Sequence, residues 1–239
     1  MTDKVFTFWD GDKMPAYIKL CMETWSFPYT LLTFDNLHEY TDLPITDGLC
    51  RFSLPQISDC IRVHVLRDRG GYWLDADTIM LTDSLPEATI LGDPEARTNS
   101  IGFLRSEPHA DMFEEWAQYQ DKVISDPDAS CHWAVMGNMF TDAYLKRHPE
   151  IVIGSIEDYC PETYIIPGDI TRYRKYLRFY FDTSYQLYDI YNAGMLMLHN
   201  SWTPNWFKAL DADGVNKCQC TLANILREAR KKFDMQRRF

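Results

Sequence analysis

The stretch Gly70-Gly71-Tyr72-Trp73-Leu74-Asp75-Ala76-Asp77-Thr78-Ile79-Met80-Leu81 constrains this chain more than any other. It reads as a short apolar strand, entered through two glycines and ending in two carboxylates one residue apart. Side chains along a strand alternate faces, so Asp75 and Asp77 are expected on one side and Ala76 on the other. Two carboxylates at a strand end can grip one hard divalent cation. A cation held there can neutralise a diphosphate, so the pattern points to chemistry on a nucleotide-linked or phosphorylated substrate. The paired glycines let the backbone turn sharply or let a ligand approach it closely.

The segments around it predict a parallel sheet with helices on its faces. Val5–Trp9 reads as a buried strand, Pro15 suits a helix start, and Ile18, Met22 and Trp25 recur at helical spacing. Thr30–Phe34 is a second strand, completing a β-α-β opening. Residues 35–56 look irregular, broken by Pro44, Gly48 and Pro55. A helix is then expected from Ser58 to the Gly70 stop, with Ile61, Val65 and Leu66 on its inner face. Further along, Ser100–Leu104, Ile151–Ile153 and Met195–Leu198 read as strands. Met112–Val123, Ala134–Lys146 and Leu222–Phe233 read as amphipathic helices, and residues 159–191, rich in Tyr, take no clear assignment. The expectation is one α/β domain over residues 1–239 with a basic helix over about 221–239.

Bulk properties narrow the partners. Hydrophobic residues at 46% and charged residues at 25% suit a packed core and exclude a disordered chain. A net charge of −11 argues against nucleic acid, whose backbone needs clustered Lys and Arg. Residues 226–239 nevertheless carry a net charge of +4, interleaved with Phe233, Met235 and Phe239. Such a helix can rest on an anionic membrane surface, or can simply be solvated. No apolar run approaches the roughly 18 residues of a membrane span, and Met1-Thr2-Asp3-Lys4 does not open a leader pattern. Seven cysteines without a sequon fit free thiols in a cytoplasmic setting, and Cys218-x-Cys220 lacks a second pair at zinc spacing.

The composite Ser58-Asp59-x-x-Arg62, then Gly70-Gly71-Tyr72-x-Leu74-Asp75-x-Asp77, resembles the core of glycosyltransferases with a DXD motif: the capsular polysaccharide synthesis proteins, glycosyltransferase family 32 and the glucosylating toxins. Phe6-Thr7-Phe8-Trp9-Asp10-Gly11 with Met14-Pro15, Cys21 and Trp25 is similar to the capsular-synthesis opening. The similarity is clear over residues 5–86 and faint from there to His199. It implies a GT-A fold, a mixed and mostly parallel sheet flanked by helices. It also implies a nucleotide-sugar donor, UDP-linked by preference, a Mn²⁺ or Mg²⁺ ion, a glycan or glycolipid acceptor, and retention of anomeric configuration.

By the same resemblance Asp77 ligates the metal, and Asp75 contacts the ribose or reaches the metal through water. Asp59 and Arg62 hold the donor sugar's hydroxyls, and Trp9 stacks on the base. Tyr72, inside the motif, joins the substrate-binding set. Trp9 can equally be core, and Arg62 can simply pair with Asp59 across one helix turn, worth about 0–1 kcal/mol on a wet face.

Late in the chain, Met195–Leu198 runs into His199-Asn200-Ser201-Trp202. The family likewise ends its catalytic domain near a His and a Ser-Trp pair. That implies His199 as a third metal ligand, with Asn200 or Ser201 as alternatives, and Trp202 against the donor. A solvent-facing strand-end histidine is the plainer reading. Asn138 stands where family 32 often has Pro, at a loop-to-helix turn that can also touch a sugar. The Arg172-Tyr173-Arg174-Lys175-Tyr176 run suits an acceptor loop.

Two other readings compete. Asp75-Ala76-Asp77-Thr78 also resembles the nucleophile motif of haloacid-dehalogenase-type phosphatases. Those place it after their first strand and need an adjacent Asp-Asp pair, which this sequence lacks. A non-catalytic carbohydrate-binding protein would use the 14% aromatic content, but it needs no paired carboxylates.

Overall fold

A computed structural model of the chain describes residues 4–11, 13–93, 95, 98–155, 165–166, 168–182 and 193–236, with no side-chain description for residues 98 and 233–236. Elements are numbered in chain order. The strands are β1 (Val5–Phe8), β2 (Thr30–Leu32), β3 (Gly71–Leu74), β4 (Thr78–Met80), β5 (Ile90–Asp93), β6 (Thr98–Ser106), β7 (Ile153–Ser155) and β8 (Met195–Met197). The helices are α1 (Ala16–Met22), α2 (Asp47–Cys50), α3 (Leu54–Arg69), α4 (Asp111–Ser125), α5 (Asn138–Arg147), α6 (Arg172–Phe181), α7 (Asn205–Lys208), α8 (Ala212–Lys217) and α9 (Thr221–Gln236).

These elements form two compact units. The first comprises Met1–Asp10, Tyr29–Asp75 and Pro86–Ile156; the second comprises Gly11–Pro28, Ala76–Leu85 and Glu157–Phe239. The first unit is built on a six-stranded sheet of order β2-β1-β3-β6-β5-β7. β1 pairs parallel with β2 and β3, and β5 pairs parallel with β7; β6 runs antiparallel to β3 and β5. All four residues of β1, Thr7 included, are buried, so Val-Phe-Thr-Phe is a strand covered on both faces rather than one with a solvent-facing side. Helix α3 packs across β1, β3 and β6 and against α4. Trp73 faces this helical layer with Ile61, Leu66, Trp116 and Phe140 in one core.

Helix α3 begins at Leu54, four residues ahead of the expected start at Ser58. Ser53 is its N-cap: the Gln56 side-chain oxygen accepts from the Ser53 N–H at 3.1 Å and from its hydroxyl at 2.8 Å. Pro55 does not break the helix, because in the first turn its missing N–H would have had no intrahelical partner. The irregular region before it contains a 3₁₀ turn at Leu37–Glu39 and the short α2, capped by Thr46.

At the other end, Gly70 adopts φ +62 and donates its N–H to the Leu66 carbonyl at 2.9 Å. Gly71 adopts φ +94, and a Cβ there would lie 2.3 Å from the Lys4 carbonyl oxygen. The close approach is set by the sheet, since Tyr72 N–H bonds that same carbonyl at 2.8 Å. The glycine pair thus drops the chain from α3 directly into the sheet beside β1.

Helix α5 starts at Asn138 rather than at Ala134. Residues 132–137 form turns instead, with the Val135 N–H on the His132 carbonyl at 2.9 Å. Buried side chains compete for the carbonyls a helix would need: Trp116 and Gln120 both donate to the Met136 oxygen. Strand β5 is an element that the sequence did not disclose, and β7 lies two residues later than expected.

In the second unit β4 and β8 pair antiparallel, Thr78 opposite Met197. Trp25 donates its indole N–H to the Thr78 carbonyl at 2.9 Å, and Thr24 Oγ1 accepts from the Met80 N–H at 2.8 Å. Part of the unassigned region 159–191 is the helix α6, capped by Thr171; residues 156–164, 167 and 183–192 lie outside the described residues. The basic helix α9 is fastened by its own charges. Arg227 donates to the carbonyls of Asn216 and Cys218 at 2.8 Å each, Arg230 pairs with Glu23 at 2.8 Å, and Lys232 donates to the Leu81 carbonyl at 2.6 Å. No helix among the described residues is long and apolar enough to cross a membrane.

The Gly71 geometry carries a stability test. Gly71→Ala forces a side chain into a left-handed conformation against a backbone oxygen, and should cost about 2–3 kcal/mol. Urea denaturation reads the loss as a lower midpoint; an unchanged midpoint would show that the β1–β3 edge can shift to admit a methyl group.

Candidate functional site

The expected site residues fall into two clusters, one in each unit, joined in the chain by Ala76. The first is centred on Arg62, which α3 presents toward the end of β3. Its side chain is only 5% exposed, and its guanidinium reaches Asp59 Oδ1 at 3.0 Å and Asp75 Oδ1 at 3.2 Å. Nη1 donates to the Ile101 carbonyl, Nε lies 3.4 Å from the Ser58 carbonyl, and the group stands 5.2 Å over the Trp73 ring. Trp73 then donates its indole N–H to Asp75 Oδ1 at 2.9 Å. An Arg fork suits this task, with planar donors that serve two carboxylates and a backbone oxygen at once.

This is a different object from the wet ion pair that the i, i+3 spacing allowed. Taking a guanidinium out of water is costly unless every donor is met. Here one cation faces two carboxylates. Burial pushes the Asp59 carboxyl up to about 7, Arg62 pulls it back, and the neighbouring Asp75 adds to the rise. Asp75 is 37% exposed and so is open to water. A buried, readily protonated carboxyl beside fixed N–H donors offers both hydrogen-bond roles, as polyol recognition requires.

Gly137 closes on this cluster: a Cβ there would lie 3.4 Å from Asp59 Oδ2 and 2.4 Å from Ile101 Cδ1. Asn138, next in the chain, turns its amide to β6, donating to the Asn99 carbonyl at 3.0 Å and lying 3.2 Å from Asn99 Oδ1. Trp9 lies half-buried just past β1, its N–H on the Leu32 carbonyl at 3.1 Å. Tyr72 is buried on the opposite face of β3 from Trp73, with Phe103 at 6.0 Å and the Arg105 guanidinium 5.6 Å from its ring. The fold therefore joins Asp59, Arg62 and Asp75 directly and does not bring Tyr72 to them.

The second cluster is built where β4 meets β8. Asp77 is 9% exposed, and its Oδ2 accepts from the Asn200 N–H at 2.7 Å. Asn200 Oδ1 in turn accepts from the Tyr17 hydroxyl at 2.6 Å. His199 packs on Trp202 with ring centroids 4.0 Å apart and on Tyr176 at 5.8 Å. Trp202 also meets Tyr173, Tyr176 and the Arg172 guanidinium. Burial, with Arg172 nearby, lowers the His199 pKa to about 3, so its imidazole is neutral near pH 7. His199 Nε2 is buried and has no hydrogen-bond partner among the described residues. A buried polar nitrogen left in that state is costly, and a neutral imidazole is the form that ligates metals.

The strand geometry invoked for the two carboxylates stops at Leu74. Asp75 through Asp77 make a turn, and the ladder resumes at Thr78 with β8 as its new partner. The reason is a change of partners: the Asp75 N–H still bonds Gly102 of β6, whereas the Asp77 carbonyl accepts from Leu198. No group of three His, Cys, Asp or Glu side chains arranged for a metal occurs among the described residues. As to fit, Asp77 is an oxygen donor of the kind Mn²⁺ and Mg²⁺ prefer, and the orphaned His199 Nε2 lies one residue from the Asn200 amide that Asp77 holds. Sequence reasoning missed Trp73 and Tyr17. Trp73 stood only as one residue of an apolar strand, and nothing local links Tyr17 to a residue 183 positions away.

The fold is that of a mixed α/β protein, a six-stranded sheet with helices packed on it. The model of the capsular polysaccharide synthesis protein family matches residues 1–159, two thirds of the sequence, and the chain belongs to that family. Asp59, Arg62, Asp75, Asp77 and Asn138 fall inside the matched residues; His199 and Trp202 lie beyond them. Among solved structures it is similar to the PaToxG glycosyltransferase at 14% identity, over 61% of this chain and 68% of that one, with a TM-score of 0.44. No curated protein matches it.

Asp59 provides a direct test of the buried cluster. Its raised pKa means that the folded state keeps a proton that the unfolded state has released between about pH 4 and 7. Stability from this group is full at low pH and is lost as pH rises through 7. Asp59→Asn should flatten that decline, seen as urea midpoints at pH 5 and pH 8 that differ less than in the wild type. An equal slope in both would place the Asp59 carboxyl in the ordinary range.

Proposed function

We propose that this protein moves a sugar from a nucleotide-diphosphate donor, UDP-linked by preference, to a hydroxyl of a glycan or glycolipid, with a bound Mn²⁺ or Mg²⁺. The observation that supports it most is the Arg62 cluster, a buried cation with two carboxylates, leading within two residues to a carboxylate tied to the segment Met195–Trp202. Asp59 and Arg62 would bind the sugar's hydroxyls, Asp75 the ribose side, and Trp9 the base. Asp77, with His199 Nε2, would hold the ion, and Trp202 would lie against the donor. Bound there, the metal would supply positive charge to a departing diphosphate.

Retention, expected from the resemblance, would proceed with the leaving phosphate taking the acceptor's proton; a trapped covalent glycosyl-enzyme would overturn that part. Free thiols at the described cysteines favour a reducing, cytoplasmic location. Peripheral membrane contact through α9 is weakened by the internal engagement of Arg227, Arg230 and Lys232, although Lys231, paired with Glu228 at 3.0 Å, stays exposed.

A screen of UDP- and GDP-sugars for nucleotide release, with and without Mn²⁺, tests the reading. Asp77→Asn is the informative variant. Its amide oxygen can still accept from the Asn200 N–H while the charge is lost, and an unchanged urea midpoint checks that the fold is kept. Release should be metal-stimulated in the wild type and fall at least about 100-fold in the variant. Equal release by both proteins, or monoester hydrolysis in place of sugar transfer, would overturn it.

A further inference from the structure

Trp133 is 70% exposed, more than any other large apolar side chain described, and the one ring described beside it is His132 at 5.7 Å. Exposure of this kind normally belongs to a loose loop, but here the backbone under the indole is clamped. The buried Gln56 amide donates to the carbonyls of Cys131 at 3.3 Å and His132 at 3.0 Å. The Ala134 N–H bonds His132 Nδ1 at 3.3 Å, and the Val135 N–H bonds the His132 carbonyl. Val135 and Met136 are core residues, and the Met136 oxygen accepts from Trp116 at 2.9 Å and Gln120 at 2.6 Å. The segment then ends at Gly137, against the Asp59 carboxylate. Gly137 stands four positions after Trp133, so their Cα atoms lie within about 15 Å of each other.

We infer that Trp133 is a stacking platform for a pyranose ring of the glycan acceptor, set beside the Asp59/Arg62 cluster. This rests on the glycosyltransferase reading of that cluster. The clamped backbone removes part of the ordering cost, and an indole has only two side-chain torsions left to fix, so covering its face gives a net gain. The apolar C–H face of a sugar ring suits an indole while its hydroxyls stay in water. Continuity with the cluster read as the donor-sugar pocket selects a sugar over another occupant of an exposed aromatic, such as a second copy of this chain.

The test uses the full chain labelled with ¹⁵N at its seven tryptophans. Trp133→Phe assigns the indole signal. Maltotriose, cellotriose and chitotriose serve as pyranose probes, sorbitol as a polyol without a ring face, and the signal of Trp206, 51% exposed, as the surface control. The expected result is a saturable shift of the Trp133 signal with at least one trisaccharide, no shift with sorbitol, and none at Trp206. In transfer assays with that trisaccharide, Trp133→Ala should raise the acceptor KM about three- to tenfold. Metal-stimulated nucleotide release from the donor alone should stay unchanged. No shift with any trisaccharide, an equal shift at Trp206, or a Trp133 signal that follows protein concentration alone overturns the inference. Loss of donor-only release in the wild type would instead overturn the glycosyltransferase reading, so the two failures are distinguishable.

Discussion

Arg62 is the interaction on which the first unit's site depends. A guanidinium with a side chain 5% exposed can persist only if its donors are met, and this one is met by α3 itself, by β6 through Ile101 and by the end of β3 through Asp75. That network holds the helix against the strand end at the point where the chemistry is expected. Burial raises the pKa of Asp59, and one guanidinium shared by two carboxylates only partly pulls it back.

In the second unit the carboxylate of Asp77 is held through a chain of hydrogen bonds. Asp77 is held by a backbone amide of Asn200, and Asn200 is held by a tyrosine hydroxyl from α1. His199 contributes a neutral imidazole in an aromatic setting of Trp202 and Tyr176. The units thus differ in make-up: one carries a fixed internal cation, and the other a carboxylate held by a backbone amide, with a buried imidazole nitrogen that has no hydrogen-bond partner among the described residues.

Much of the architecture was legible because the elements are long or strongly patterned. The strand Val5–Phe8, the helix ending at Gly70 and the terminal helix stand within a few residues of their expected places. The departures have local causes. Pro55 hides a helix start because its cost depends on the position within the first turn. Ala134–Gly137 looks helical by composition, but Trp116 and Gln120 take the Met136 carbonyl. β5 is short, ends in Gly92-Asp93, and gains its identity from pairing with β6 and β7.

The sequence by itself determined the carboxylate pair, the glycine turn before it and the family, since these rest on residue type and fixed spacing along one continuous segment. Only tertiary structure decided that Arg62 is a buried hub rather than a surface partner, that Tyr72 faces away from it, and that Asp77 is fastened to Asn200. Those outcomes depend on desolvation and on which distant backbone groups come within 3 Å. No local pattern encodes burial, and the partners concerned lie 39 to 183 residues apart in the chain.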